Sequence, residues 1–272
     1  MLADLHLHTH FSDSSRSPEA LVAAVRAAGI GLIAVCDHDT TAAYAQLHPL
    51  CEAAGIRLIQ GVEISSHWNG LELHILGLGF DAKHPAIRDV LAHNQAEYAH
   101  HDEVLIRNLA ADYPQISPQD FAAFPHPIPA GGWKNTNYCM ARGLIDTNEA
   151  RIALYSHYAS HKLQFLSTHE ACDAISQSGG VPILAHPGNY WPTAPQTLES
   201  TLDSLVNDGI RGIECFYPSH SDTLRTRCLD YCTTHSLCIT AGSDDHGEFN
   251  RIIDGVEYAL GVIHVDEIQL LL

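Results

Sequence analysis

Long hydrophobic runs are missing from this chain. No apolar stretch approaches the ~18–20 residues that cross a bilayer, so no membrane span is expected. No basic segment leading into an apolar core stands at the first residues, so no secretory signal is read and the expected compartment is the cytoplasm. Low-complexity segments are also lacking. The eight cysteines include no Cys-x-x-Cys pair. Cys36, Cys215 and Cys238 lie in apolar, strand-like runs, where free cysteine behaves as a small hydrophobe. Cys228 and Cys232 are one helical turn apart, and all eight read as reduced. Positive charge is scarce: 14 Lys and Arg stand against 32 Asp and Glu, for a net charge of −18. So acidic a chain has little general attraction for long duplex nucleic acid. An anionic substrate then requires a local source of positive charge, such as bound metal ions.

What the chain has in excess is histidine, 20 in 272 residues, and metal sites are the first explanation to test. Hydrophobic residues make up 46%, enough for the core of one large domain or two modest ones. The first thirteen residues organise the reading. Residues 2–8 alternate apolar and polar, the period of a strand, which puts His6 and His8 on one face and Leu5 and Leu7 on the other. Two imidazoles ~7 Å apart along a strand can close on one divalent ion if the strand bends. Asp13 follows on a polar turn that can fold back over the strand end. His10 is read as structural.

Further on, strands alternate with helices that stop at glycine. Ser17-Pro18 starts a helix ending at Gly29, and a second runs from about Thr41 to Gly55. Apolar runs at 32–36, 57–62, 71–76, 181–185, 212–216 and 237–241 read as strands, with 259–262 as the closing one. The grammar changes between about 82 and 167, a polar, mostly helical stretch interrupted at 124–129. The expected organisation is a barrel in two parts, 1–81 and 168–272, with residues 82–167 inserted as a helical cap over its mouth. Repeated strand–helix alternation argues for a parallel α/β barrel.

The polar residues gather where strands end: His6 and His8, His38, Glu63, His186, then Asp244 with His246; His74 lies within its own strand. In a parallel barrel the carboxyl ends of the strands share one face, which carries chemistry. Imidazole and carboxylate without thiolate form a hard-to-borderline donor set. In order, His6-x-His8, Asp13, Asp37-His38-Asp39, Gly61-Val-Glu63, His74, Ala185-His186-Pro187 and Gly242-Ser-Asp244-x-His246 resemble the polymerase and histidinol phosphatase (PHP) family. The resemblance implies a distorted seven-stranded (β/α) barrel with three divalent metal ions, manganese being placed first, with zinc or iron as alternatives. Carried over position by position, His6, His8, Glu63 and Asp244 would hold one ion. Glu63, His74 and His186 would hold a second, and Asp13, His38 and His246 a third. The motifs Asp-His-Asp-Thr, Gly-Val-Glu-Ile-Ser, His-Ile-Leu-Gly and Ala-Arg142-Gly-Leu further resemble the branch containing 3′,5′-nucleoside bisphosphate phosphatases and 5′-to-3′ exoribonucleases. The stretch Trp133-Lys134-Asn135-Thr136 departs from that branch.

Three divalent ions would bring six positive charges against three carboxylates, a positive pocket in an acidic protein. Metal-activated water would supply hydroxide, bridged between the two ions that share Glu63 and attacking phosphorus in line. Arg142 is the first choice to hold the phosphoryl oxygens, with Lys134 and Arg16 behind it. His220 could contact phosphate, and Tyr190 with Trp191 could stack on a base or pack beneath the insertion. The general acid is not identified. The expected activity is removal of the 3′-phosphate of a 3′,5′-bisphosphonucleotide by a metal-dependent phosphatase. Alternatives are a 5′-to-3′ exoribonuclease on short RNA, a histidinol-phosphate-type phosphatase, and a non-catalytic metal-binding regulatory domain.

Overall fold

The structure is a computed structural model that describes residues 1–127 and 129–267. Ile128 within the expected 124–129 interruption, and 268–272 at the end of the expected second barrel part, lie outside the described residues. Local signals set the first elements. Strand β1 (Leu2–Leu7) is followed by helix α1 (Pro18–Ala27), whose cap Ser17 accepts a hydrogen bond from the Ala20 N–H. Apolar β2 (Ile30–Val35) leads to α2 (Tyr44–Ala54), which Gly55 ends in the left-handed conformation at φ 68°. Strands β3 (Arg57–Trp68) and β4 (Leu71–Leu78) are joined by Asn69-Gly70 alone. So short a link permits only antiparallel pairing, and β4 is antiparallel to β3.

Four helices follow: α3 (Pro85–Asp112), α4 (Pro118–Ala123), α5 (Lys134–Ala141) and α6 (Asn148–Tyr158). Then come α7 (Thr168–Gln177), β5 (Val181–Leu184), α8 (Pro187–Tyr190), α9 (Leu198–Asn207), β6 (Gly212–Phe216), α10 (Asp222–His235) and β7 (Cys238–Ala241). A small hairpin of β8 (Ile252–Ile253) and β9 (Val256–Glu257) precedes β10 (Val265–Asp266).

The main sheet runs β10-β1-β2-β3-β4-β5-β6-β7, parallel except where β4 meets β3 and β5 and where β10 meets β1. It curls until the segment after β7 returns to β1: the Asp244 N–H donates to the His6 carbonyl (2.9 Å) and the His8 N–H to the Asp245 carbonyl (3.1 Å). The result is the distorted barrel, with eight strands instead of seven because two-residue β10 adds an edge. The expected closing strand at 259–262 is a turn. Gly261 sits at φ 84°, Ala259 is buried and Leu260 packs half-buried on the α1–α2 side, so this apolar run finds cover without pairing.

The barrel interior is filled by side chains from strands, Ala3, Leu5, Leu32, Ala34, Leu76 and Ile183 among them. Leu7 instead packs against α1 and α2, because the β1–β2 register shifts between Asp4 and Leu7, so Leu5 and Leu7 do not share a face. The first half of α3 buries Ile87, Val90 and Leu91 against the barrel. Its second half buries Leu105, Ile106 and Leu109 in a separate core with Tyr138, Cys139 and Leu154. All eight cysteines are free, and no described helix is long and apolar enough to cross a membrane.

Candidate metal centre

All nine imidazole and carboxylate residues singled out from the sequence meet at the carboxyl end of the barrel. Glu63, buried in the middle of β3, is the hub. Its Oε2 lies 3.2 Å from His6 Nε2, 3.3 Å from His8 Nε2 and 3.2 Å from His38 Nδ1. Its Oε1 lies 2.9 Å from both His74 Nδ1 and His186 Nε2. Asp244 Oδ1 is 3.0 Å from His8 Nε2 and 3.4 Å from His6 Nε2, and Asp13 Oδ1 is 3.1 Å from His246 Nε2. Three groups have donor atoms within 4.8 Å of one another: His6, His8, Glu63 and Asp244; His8, Asp13, His38 and His246; His38, Glu63 and His74. His8 therefore faces two groups, one with each ring nitrogen. His10 stands apart, its ring against Phe11.

These residues suit divalent metal ions on two observations. The buried His6 Nε2, His8 Nε2 and Asp244 Oδ1 satisfy no hydrogen bond, although they converge on one point. The donor set, imidazole and carboxylate, is one that manganese, zinc and iron accept. Burial would raise the Glu63 carboxyl, but His6, His38, His74 and a hydrogen bond from His186 outweigh it and hold it well below the usual carboxylate range. Asp244 is lowered in the same way, against burial, by His6, His246 and His8. His38 is pushed down to about 4 by burial and by the neighbouring His8 and His74, which keeps a lone pair free. His186 and Asp244 hold left-handed backbone conformations, at φ 31° and 56°. For non-glycine residues such conformations cost of order 1–3 kcal/mol each and gather at functional sites.

A second layer orients the donors. Glu214, buried in the middle of β6, faces His6 Nδ1 at 3.0 Å with one oxygen and accepts the His186 N–H at 2.7 Å with the other. Tyr217 donates to Asp244 Oδ2 (2.8 Å), and Asp37 accepts from Thr9 and Ser12 beside the Asp13 turn. Sequence reasoning passed over Glu214 and Tyr217. The available signal was a carboxylate inside an otherwise apolar strand.

The expected substrate contacts divide. Lys134 borders a cleft of about 600 Å³ together with His38, His74, Trp133 and Arg151. Arg142 is engaged elsewhere: its guanidinium pairs with Asp120 (3.2 Å) and lies over the Tyr138 ring. Arg16 is paired with Asp245 at 2.8 Å. Both nitrogens of His220 are occupied, Nδ1 at the Cys215 carbonyl (3.1 Å) and Nε2 accepting the Gly188 N–H (3.0 Å), so it braces the turn after His186. The Tyr190 hydroxyl accepts the His74 N–H (2.8 Å) and its ring packs by His186; Trp191 packs on the core. Trp133 also stands beside the donors, 5.5 Å from the His38 ring, as Tyr217 does 5.3 Å from that of His186. A second cleft is lined by seven of the donors themselves, Asp13, His38, Glu63, His74, His186, Asp244 and His246, with Asn189, Tyr217, Ser219 and the β8–β9 hairpin around them.

A barrel whose open end gathers imidazoles and carboxylates around shared points defines a metal-dependent hydrolase. The chain belongs to the PHP domain family, which residues 4–210 match. It is 27% identical over 276 residues to the phosphoribosyl 1,2-cyclic phosphate 1,2-diphosphodiesterase of Eggerthella lenta, covering 93% of this chain and 97% of that one. It is 30% identical to the 5′-3′ exoribonuclease Rnm of Salmonella typhimurium (90% and 85% covered). It is 28% identical to the 3′,5′-nucleoside bisphosphate phosphatase of Chromobacterium violaceum (93% and 91% covered). A solved structure from Bifidobacterium adolescentis, provisionally assigned as a metal-dependent phosphoesterase, superposes with a TM-score of 0.79 at 27% identity, covering 97% of this chain and 92% of that one. The protein is a phosphoric ester hydrolase of this family.

Proposed function

We propose that the protein removes the 3′-phosphate of a 3′,5′-bisphosphonucleotide, such as adenosine 3′,5′-bisphosphate, leaving a 5′-nucleotide. The observation that carries this reading is the cleft running alongside the donors, bordered by His38 and His74 and also by Lys134 and Arg151. A second phosphate needs cations of its own there; in this reading Lys134 leaves the Ala122 carbonyl and Arg151 leaves Asn148 to supply them, beside Glu72 and Asp102 on the same cleft. The relative named as a bisphosphate phosphatase supports the same substrate class. Residues 82–167, which contribute Trp133, Lys134 and Arg151 to the cleft, act in this reading as a cap over the barrel mouth.

Three divalent ions, with manganese first and zinc or iron as alternatives, fit the donor groups described above. When bound, such ions supply Lewis acidity toward phosphoryl oxygens and make hydroxide available near neutral pH. The chain's own residues do the rest. Glu63 presents its two oxygens to two different sets of imidazoles and so is placed to be shared between ions. Glu214 and Tyr217 keep His6, the His186 backbone and Asp244 in place while charge changes at phosphorus. Lys134 and Arg151 fix the second phosphate, so the scissile ester is oriented by binding energy distant from it.

The second cleft, bordered by Tyr217 and the hairpin, favours a 5′-to-3′ exoribonuclease acting on short RNA as the other reading, because a phosphodiester extends to both sides of its phosphorus. The test is kcat/KM of manganese-loaded protein for adenosine 3′,5′-bisphosphate, 3′-AMP, 5′-AMP and a short 5′-phosphorylated RNA. The bisphosphate is expected to exceed 3′-AMP by about tenfold or more, given ~1.5–3 kcal/mol per charge-assisted contact. Equal values for these two would remove the remote-phosphate site, and a larger value for RNA would select the exoribonuclease.

A further inference from the structure

We propose that the indole of Trp133 is the platform on which the substrate's nucleobase stacks, making it the residue that sets preference for a nucleotide over a base-free phosphate. The inference rests on the nucleotide reading above. Trp133 is 36% exposed, and its ring stands 5.5 Å from that of the donor His38. It is also rigidly backed. Tyr98 stacks on it at 5.2 Å with planes 27° apart, Phe165 packs behind Tyr98 at 5.2 Å, and the Tyr98 hydroxyl is hydrogen-bonded to Ser65 on β3 (2.9 Å).

The backbone leading into Trp133 is fixed to the metal centre itself. The Gly132 N–H donates to the Asp13 carbonyl at 2.6 Å. Gly131 and Gly132 hold φ 78° and 82°, and a Cβ on Gly131 would collide with Phe249 and crowd the Asp13 carbonyl. The indole is therefore held at a set position relative to the donors by the same turn that carries Asp13. It borders two adjoining cavities, the 600 Å³ cleft and a neighbour of about 500 Å³ that also contains Arg151 and Phe249.

The geometry selects the occupant. A flat, preorganised aromatic face costs little ordering entropy and accepts any π-system, which is how bases are held without a hydrogen-bond code. Lys134 and Arg151 border the same cleft beside Glu72 and Asp102, and His38 and His74 open it onto the donors, where the proposed function puts a phosphate. A planar group carried between phosphates is a nucleotide. A lipid or a protein side chain would account for the indole but not for its place on a cleft that opens onto the donors His38 and His74.

Trp133→Ala and Trp133→Phe test this with two manganese-loaded substrates, adenosine 3′,5′-bisphosphate and the abasic ribose 3,5-bisphosphate. The ratio of kcat/KM, nucleotide over abasic, is expected to fall about tenfold in Trp133→Ala and to recover most of that in Trp133→Phe, as loss and partial restoration of one stacked base require. A second readout needs no catalysis: 5′-AMP should quench tryptophan fluorescence of metal-free wild-type protein, and the quench should vanish in Trp133→Phe, where Trp68 and Trp191 remain. An unchanged ratio in the alanine variant, or quenching that persists without Trp133, overturns the platform. If wild-type protein cleaves neither compound, the nucleotide phosphatase reading fails, and the quench alone decides the platform.

Discussion

Glu214 offers the sharpest separation between holding the fold and holding the metal. Its two oxygens serve two donors, the His6 ring and the His186 backbone N–H, and it lies fully buried. If His6 carries its proton on Nδ1 toward Glu214, the Nε2 lone pair points to Glu63 and Asp244. Glu214→Ala leaves two buried donors unpaired, which at about 1–3 kcal/mol each removes roughly 2–6 kcal/mol of stability. Glu214→Gln keeps the volume but has only one accepting oxygen. Either the His186 N–H loses its partner, or the amide donates to His6 Nδ1 and reverses the tautomer, turning an N–H toward the metals. Stability should then drop by only about 1–3 kcal/mol. Manganese affinity should fall about 10–100-fold, as loss of an outer-layer partner does elsewhere. The assay is a manganese titration with thermal unfolding followed on the same samples. A glutamine variant that binds manganese as tightly as wild type and keeps its kcat/KM would refute the orienting role.

Glu63→Ala should abolish activity and lower bound metal by more than one equivalent, measured by elemental analysis; full metal content would show that the carboxylate is not shared. Arg142→Ala should change kcat/KM less than twofold and stability by no more than about 1 kcal/mol, since it removes an exposed pair with Asp120. Arg151→Ala should lower kcat/KM for the bisphosphate about tenfold and leave 3′-AMP hydrolysis little changed; equal losses on both compounds would remove it from the remote-phosphate site. Manganese should raise the unfolding temperature in proportion to the logarithm of its free concentration above Kd, and a chelator should reverse the gain. A transition insensitive to metal would contradict binding at a centre built only in the folded state.

The barrel was legible because its signals are local. Glycine stops, a serine cap and apolar strands each act over a few residues; the antiparallel step at β4, set by the two-residue Asn69-Gly70 link, departs from the parallel barrel expected. The apolar run at 259–262 misled because burial without pairing looks the same in one dimension as a buried strand. The donors were legible because polar residues recur in or just past successive apolar strand runs, which a barrel must bring together, although Glu63 and His74 lie inside the observed β3 and β4. Arg142, Arg16, His220 and Tyr190 were not, because what each side chain does depends on partners distant in the chain: Asp120, Asp245, the Cys215 carbonyl and the His74 N–H. A guanidinium in a sequence carries no mark of whether a carboxylate has already claimed it.

Helix α3 has a mechanical consequence. It is one uninterrupted rod of 28 residues, ~42 Å long at 1.5 Å per residue, anchored in the barrel's core at one end and in a second core at the other. The two bodies are thus geared together: swinging the inserted helices away as a hinged door would require breaking the rod or emptying a core. Traffic to the centre is then left to small local openings, with the β8–β9 hairpin, whose Ile252 and Ile253 are exposed, as a part whose displacement disturbs neither core.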